Sequence, residues 1–92
     1  MTTDRQLHLL KCLGDETRFK ILLTLKGGER CVCEIIKELG LEQSLISHHL
    51  QAMRKCKLVR FRRDGKKMIY RLANPSILTL LADVERLSKK FC

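Results

Sequence analysis

The sequence predicts a mostly α fold with a small β-hairpin, a winged helix-turn-helix of order α-α-(β)-α-α-β-β-α. Three observations carry this. Two short amphipathic segments, one ending at Leu39 and one starting near Gln43, are separated only by Gly40-Leu41-Glu42. Downstream, the apolar period switches from helical spacing to alternation around Asp64-Gly65, a hairpin signal. The cationic charge is concentrated in that same hairpin stretch.

The elements follow in order. Leu7, Leu10 and Leu13 keep helical spacing, and Gly14 closes that first helix. Asp15 reads as the N-cap of a second helix whose apolar stripe is Phe19, Leu22, Leu23 and Leu25, and Gly27-Gly28 stops it. "RCV" is expected to be a short extended segment. A third helix runs from about Cys33 to Leu39 with Ile35, Ile36 and Leu39 inward. The fourth starts near Gln43 and turns Leu45, Ile46, Leu50 and Met53 toward the core. Val59, Phe61, Met68, Tyr70 and Leu72 then alternate with polar residues, and Asp64-Gly65 is expected to form a type I′ turn with positive φ at both positions. Asn74-Pro75 opens a last helix with Ile77, Leu80, Leu81, Val84 and Leu87 on one side.

A chain of 92 residues is read as a single domain, residues 1–92, with a small core that burial against a second copy would extend. No apolar run reaches the roughly 18 residues that span a bilayer, and no signal-peptide h-region is present. A cytoplasmic protein without a membrane partner is expected. The five cysteines are an odd number without framework spacing, and they read as free thiols or ligands and not as structural disulfides. Neither a Ser/His/Asp grouping, nor paired carboxylates, nor a phosphate-cradling Gly-rich loop is visible. An enzyme with a small-molecule substrate is therefore not expected.

The net charge of +9 is unevenly placed. Residues 1–53 carry seven basic and seven acidic side chains, whereas residues 54–71 carry nine basic and one acidic. Solvated faces usually mix signs, so a block of one sign points to a polyanion, and first to double-stranded DNA. The fourth helix displays Gln43, Ser44, Ser47, His48 and Gln51, side chains suited to base edges and phosphates. Arg60, Arg62 and Arg63 on one hairpin strand and Lys66, Lys67 and Arg71 on the other form a cationic wing that can track phosphates or enter a minor groove. Adjacent helical positions point about 100° apart, so His48 and His49 cannot easily share one ion. His48 is expected to face DNA and His49 to pack inward, while His8 stands alone.

"LKCLGDETRFKILLTL", "ERCVCEIIKELGLEQSLISHHLQAMRKCKLV" and "RFRRDGKKMIYRL" together resemble the ArsR/SmtB family of repressors, over about residues 5 to 90. The resemblance implies a homodimer joined by the first and last helices, bound to palindromic operator DNA and released when a metal or metalloid ion binds. Cys31 and Cys33 match the two cysteines of that family's box at the start of the third helix. Thiolates there suit As(III), Cd(II), Pb(II) or Zn(II).

The chain also departs from the family. Arsenic sensors carry a further cysteine three residues on, where this chain has Ile36. Cadmium and lead sensors add cysteines from an N-terminal arm that is almost absent here. The last-helix zinc site needs a His that "NPSILTLLADVERL" lacks. A third ligand is therefore expected from Cys12, with Cys56 or an exogenous thiol as alternatives. Two other readings stay open: a repressor switched by thiol oxidation, and a constitutive nucleic-acid-binding protein with merely packed cysteines. Cys92 lies at the chain's end as a free thiol without an assigned role.

Overall fold

The computed structural model describes residues 2–92. Its elements are α1 (Thr2–Leu13), α2 (Glu16–Leu25), β1 (Arg30–Cys31), α3 (Val32–Leu39), α4 (Gln43–Lys55), β2 (Val59–Asp64), β3 (Lys67–Leu72) and α5 (Pro75–Phe91). This is the expected winged helix-turn-helix.

Local chemistry sets the boundaries. Asp15 caps α2 by accepting the Arg18 N–H at 3.0 Å. Gly40, in the left-handed region at φ 66°, ends α3 and lets the chain reverse within three residues into α4. Lys57 does the same after α4 without being glycine, at φ 65°. The Leu58 N–H reaches the Met53 carbonyl at 2.9 Å and the Lys57 N–H the Arg54 carbonyl at 3.0 Å, which is a Schellman closure. Asn74 caps α5 by accepting the Ser76 N–H at 2.8 Å, with Pro75 at the first helical position.

The sheet is antiparallel with order β1-β3-β2. Arg30 and Cys31 pair with Tyr70 and Ile69, so the short segment before α3 is tied to the hairpin. The hairpin turn corrects the expectation. Asp64 pairs with Lys67, which makes Gly65-Lys66 the two-residue loop, and in the hairpin only Gly65 has positive φ, 63°. Glycine at the first central position is the II′ requirement and not the I′ one. Lys66 consequently sits in the turn, not on a strand.

Ile21, Leu22, Ile35, Ile46, Leu50 and Met53 are fully buried where α2, α3 and α4 meet, and Val59, Tyr70, Ile77 and Leu81 close the core from the sheet and α5. Each such side chain contributes about 1.5–3 kcal/mol by leaving water. Two residues expected to face inward do not: Leu23 is 45% and Leu45 39% exposed. The stripes of the terminal helices are also incompletely covered, with Leu7, Leu10, Val84 and Leu87 exposed.

Candidate nucleic-acid interface and cysteine pair

The inward side of α4 is pinned to the core through Ile46, Leu50 and Met53, which leaves Gln43, Ser44, His48 and Gln51 exposed and Ser47 half-buried. His49 points the other way. Its Nδ1 accepts the Arg18 Nε–H at 3.1 Å and lies 3.7 Å from the Asp15 carboxylate. Burial of the ring lowers its pKa, opposed by the Asp15 charge and assisted by Arg18 and His48. His49 therefore fixes α4 against the start of α2. Glu42, at the N-cap position of α4, makes no side-chain capping bond.

Arg60, Arg62, Arg63, Lys66, Lys67 and Arg71 are all exposed, but they are not equivalent. Cross-strand pairing puts Arg60 opposite Arg71 and Arg62 opposite Ile69 on one side of the ribbon. Arg63 lies opposite Met68 on the side shared with Phe61 and Tyr70. Arg62 is engaged by Glu29, with Nε to Oε2 and Nη2 to Oε1 both at 3.2 Å. That bidentate bond holds the Glu29 carboxyl below its ordinary pKa. Farther down, the Arg54 guanidinium lies 4.3 Å from the Phe61 ring centroid, joining the end of α4 to the wing.

Cys31 occupies a junction. Its backbone ends β1, and its Sγ caps α3 by accepting the Glu34 N–H at 3.2 Å while Glu34 Oε1 accepts the Cys31 N–H at 2.9 Å. This is a capping box with cysteine in place of serine. Cys31 is buried and Cys33 exposed. Contrary to the expectation of free thiols, the two are joined as a disulfide. The extended backbone of Cys31 followed by the first turn of α3 sets their Cα atoms 5.3 Å apart, within bonding range.

Within one chain, neither Cys12 nor Cys56 lies beside them. Among the described residues no three His, Cys, Asp or Glu side chains converge to hold a metal ion. Cys12 is instead part of the core, beside Cys56. Burial, then the hydrogen bond and charge of Cys12, push the Cys56 thiol up to about 11. The Cys56 Sγ also lies 3.5 Å from Nε2 of His8, the histidine to which the sequence assigned nothing. Cys92 is exposed. One chain thus offers a soft ion two sulfurs, which is short of a closed zinc tetrahedron.

A cavity of about 310 Å³ opens beside the pair, lined by Cys31, Cys33, Gln43, Ser47, Lys66 and Lys67 and floored by Val32, Ile36 and Met68. It unites residues from the mouth of α3, the polar face of α4 and the wing. Spacing alone brings the cysteines together. The meeting with Lys66 and Lys67 depends on β1 pairing with β3, and the Glu29–Arg62 clasp spans 33 positions, so neither has a local signal. The capping box did have one, Cys31-x-x-Glu34.

A family model described as bacterial regulatory protein, arsR family, matches residues 15–60. The chain is 34% identical over 85 residues to an uncharacterized helix-turn-helix-type transcriptional regulator of Methanocaldococcus jannaschii, covering 91% of this chain and 96% of that one. It is 35% identical over 78 residues to a probable mercury resistance operon repressor of Streptomyces lividans, covering 85% of this chain and 62% of that one. An arsenic resistance transcriptional regulator of Pseudomonas putida is 43% identical over 65 residues, 70% of this chain and 51% of that one. Among solved structures, the homodimeric winged helix-turn-helix DNA-binding domain of a possible ArsR-family regulator from Mycobacterium bovis superposes with a TM-score of 0.90. It is 31% identical, covering 97% of this chain and 82% of that one.

Proposed function

The chain belongs to the arsR family of bacterial regulatory proteins, and on that premise we propose that it is a DNA-binding transcriptional repressor controlled through Cys31 and Cys33. The observation that carries the reading is the placement of an unpaired polar face on α4 beside an exposed cationic wing. Gln43, Ser44, Ser47, His48 and Gln51 read base edges from a major groove. Arg60, Arg63, Lys66 and Lys67 take phosphates. Arg62 contributes less while Glu29 holds it.

The working unit is a homodimer, as in the M. bovis domain. The exposed apolar residues of α1 and α5 are what a second copy would cover. Two-fold symmetry then spaces the recognition helices about one turn of DNA apart.

The effector acts at the sulfur pair. In the reduced protein, the Cys31 and Cys33 thiolates hold a thiophilic ion such as As(III), Cd(II), Pb(II) or Zn(II). The names of the mercury and arsenic resistance relatives favour this class. The remaining donor comes from an exogenous thiol or the partner subunit, since Cys12 and Cys56 are engaged with one another. The ion supplies a cross-link between two residues on either side of the helix start. Because Cys31 belongs to β1 and caps α3, a constraint on its sulfur reaches α4 through the α3–α4 packing.

The bond between Cys31 and Cys33 favours a second reading, in which oxidation is itself the signal. A peroxide that takes two electrons and two protons from the thiol pair yields the disulfide, an alcohol and water. One titration separates the two readings. Affinity for a duplex selected from a random pool is followed by anisotropy for the reduced protein, alone and with As(III), Cd(II) or Zn(II), and for the oxidised protein. Release by ions alone supports ligation, and release by oxidation alone supports the switch. An affinity indifferent to both leaves constitutive binding.

A further inference from the structure

The cavity beside the sulfur pair holds three kinds of group: a disulfide, two ammonium groups and the polar face of α4. We propose that it is a docking and exchange site for a small thiol that carries carboxylates, which ends covalently attached to Cys33. The proposal rests on the repressor reading only for its consequence on DNA, not for the chemistry.

The direction of exchange follows from the geometry. Cys33 is exposed and Cys31 is buried, so an incoming thiolate meets Cys33 Sγ first. It forms a new sulfur–sulfur bond there as the Cys31–Cys33 bond breaks, and the electron pair of that bond leaves on Cys31. Cys31 is built to receive it. Its sulfur already accepts the Glu34 N–H at 3.2 Å at the start of an eight-residue helix, so an amide donor is aimed at the charge the departing sulfur takes up. No external oxidant is needed, because the disulfide supplies both oxidised sulfurs, and the thiol's own proton is released on forming its thiolate.

The lysines select the tail. Lys66 in the turn and Lys67 at the start of β3 line the same space, and among the described residues no acidic side chain lines it. A carboxylate on the attached thiol is thus held beside two positive charges. At about 310 Å³ the cavity lies at the lower end of the range for small-ligand sites. Once filled, it withdraws Lys66 and Lys67 from phosphates and covers Gln43 and Ser47. Release of DNA then comes from direct occlusion, with no helix movement required.

The test uses the disulfide form of the full chain with glutathione (anionic), 2-mercaptoethanol (neutral) and cysteamine (cationic), followed by intact-mass and peptide mapping. Glutathione should attach at Cys33. In Lys66→Gln/Lys67→Gln, its rate should fall about fivefold to tenfold, with the loss shrinking at high salt. The 2-mercaptoethanol rate should stay within about twofold and the cysteamine rate should rise; together these also report that the variant is folded. The Cys33 adduct should bind the selected duplex at least about tenfold more weakly than the reduced protein. An adduct on Cys12, Cys31, Cys56 or Cys92, or a glutathione rate indifferent to both lysines, would overturn the proposal. A reduced protein that ignores DNA would instead remove the repressor reading and leave the exchange chemistry standing.

Discussion

Two cysteine pairs lie in this small fold, and burial gives them opposite characters. Cys31 and Cys33 sit at the mouth of α3 with one sulfur open to solvent, beside two lysines and the outward face of α4. Cys12 and Cys56 sit between α1 and the end of α4, one wholly buried and the other pushed up to about 11. The first pair is placed for exchange and ligation. In the second, loss of solvent keeps the Cys56 proton on, and both side chains pack as small apolar groups. Identical functional groups are thus separated into a reactive and an inert set by environment alone.

The largest expected effect tests that separation directly. A thiol whose pKa lies near 11 has roughly a hundredfold less thiolate at neutral pH than an ordinary one, and the thiolate is the nucleophile. In the reduced protein at pH 7.5, iodoacetamide should modify Cys33 and Cys92 well before Cys56. The Cys56 rate should keep climbing until the pH approaches 11, because a raised pKa keeps the proton on to higher pH. Equal rates at Cys56 and Cys92, followed by peptide mapping, would erase the contrast.

A second comparison sharpens it at the level of response. Serine can accept the Glu34 N–H as Cys31 does, so Cys31→Ser keeps the capping box while removing the sulfur. Cys31→Ser and Cys33→Ser should abolish the shift in DNA affinity caused by ions or oxidation, at near-parent stability. Cys12→Ser and Cys56→Ser should retain that shift. A parent-like response in the first two variants would mean that the exposed pair is only packed.

Stability should rank the pairs the other way. Cys12→Ser puts a more polar hydroxyl into an apolar core, with only the Cys56 sulfur known beside it, at a cost of about 1–3 kcal/mol. For a domain of this size that lowers Tm by roughly 4–8 °C for each kcal/mol. Cys33→Ser at an exposed position should stay within about 0.5 kcal/mol when both proteins are reduced. Thermal melts of the reduced variants decide it, and an unshifted Tm for Cys12→Ser would show that the buried pair contributes no packing.

Much of this arrangement was legible in the sequence, and the parts that were not share a cause. Helical spacing, Asp15, Gly40 and Asn74-Pro75 mark the helices because capping and turn chemistry are local. The break after α4 carries no such mark, since Lys57 adopts a conformation that glycine usually signals. Leu23 and Leu45 fit an apolar stripe yet point outward, because a stripe cannot say how wide the neighbouring surface is. The turn type failed for a related reason: Asp-Gly predicts a hairpin, but register decides which residues are central. At the site, Cys31 and Cys33 were visible as a motif. Their union with Lys66 and Lys67, and the meeting of Cys12 with Cys56, depend on contacts between distant elements.

The smallest expected effect concerns the strand that delivers Cys31. Glu29 precedes it, and its carboxylate holds Arg62 by two 3.2 Å bonds, so the reactive pair and the wing are clasped together at the surface. Exposed ion pairs add little to folding, and the clasp matters more for what it takes from DNA. Glu29→Gln removes one negative charge near the phosphates and frees the Arg62 guanidinium. DNA affinity should rise modestly, and the slope of log K against log salt should steepen by about one, as for one added phosphate contact. Arg63→Gln should flatten that slope by a similar amount, because among the described residues no carboxylate holds Arg63 as Glu29 holds Arg62. Arg62→Gln should change it less than Arg63→Gln. Salt titrations of the three variants against one duplex give the ranking. If Glu29→Gln weakens binding, the clasp positions the wing for DNA and does not restrain it. The surface around the exposed pair would then be tuned for shape before charge.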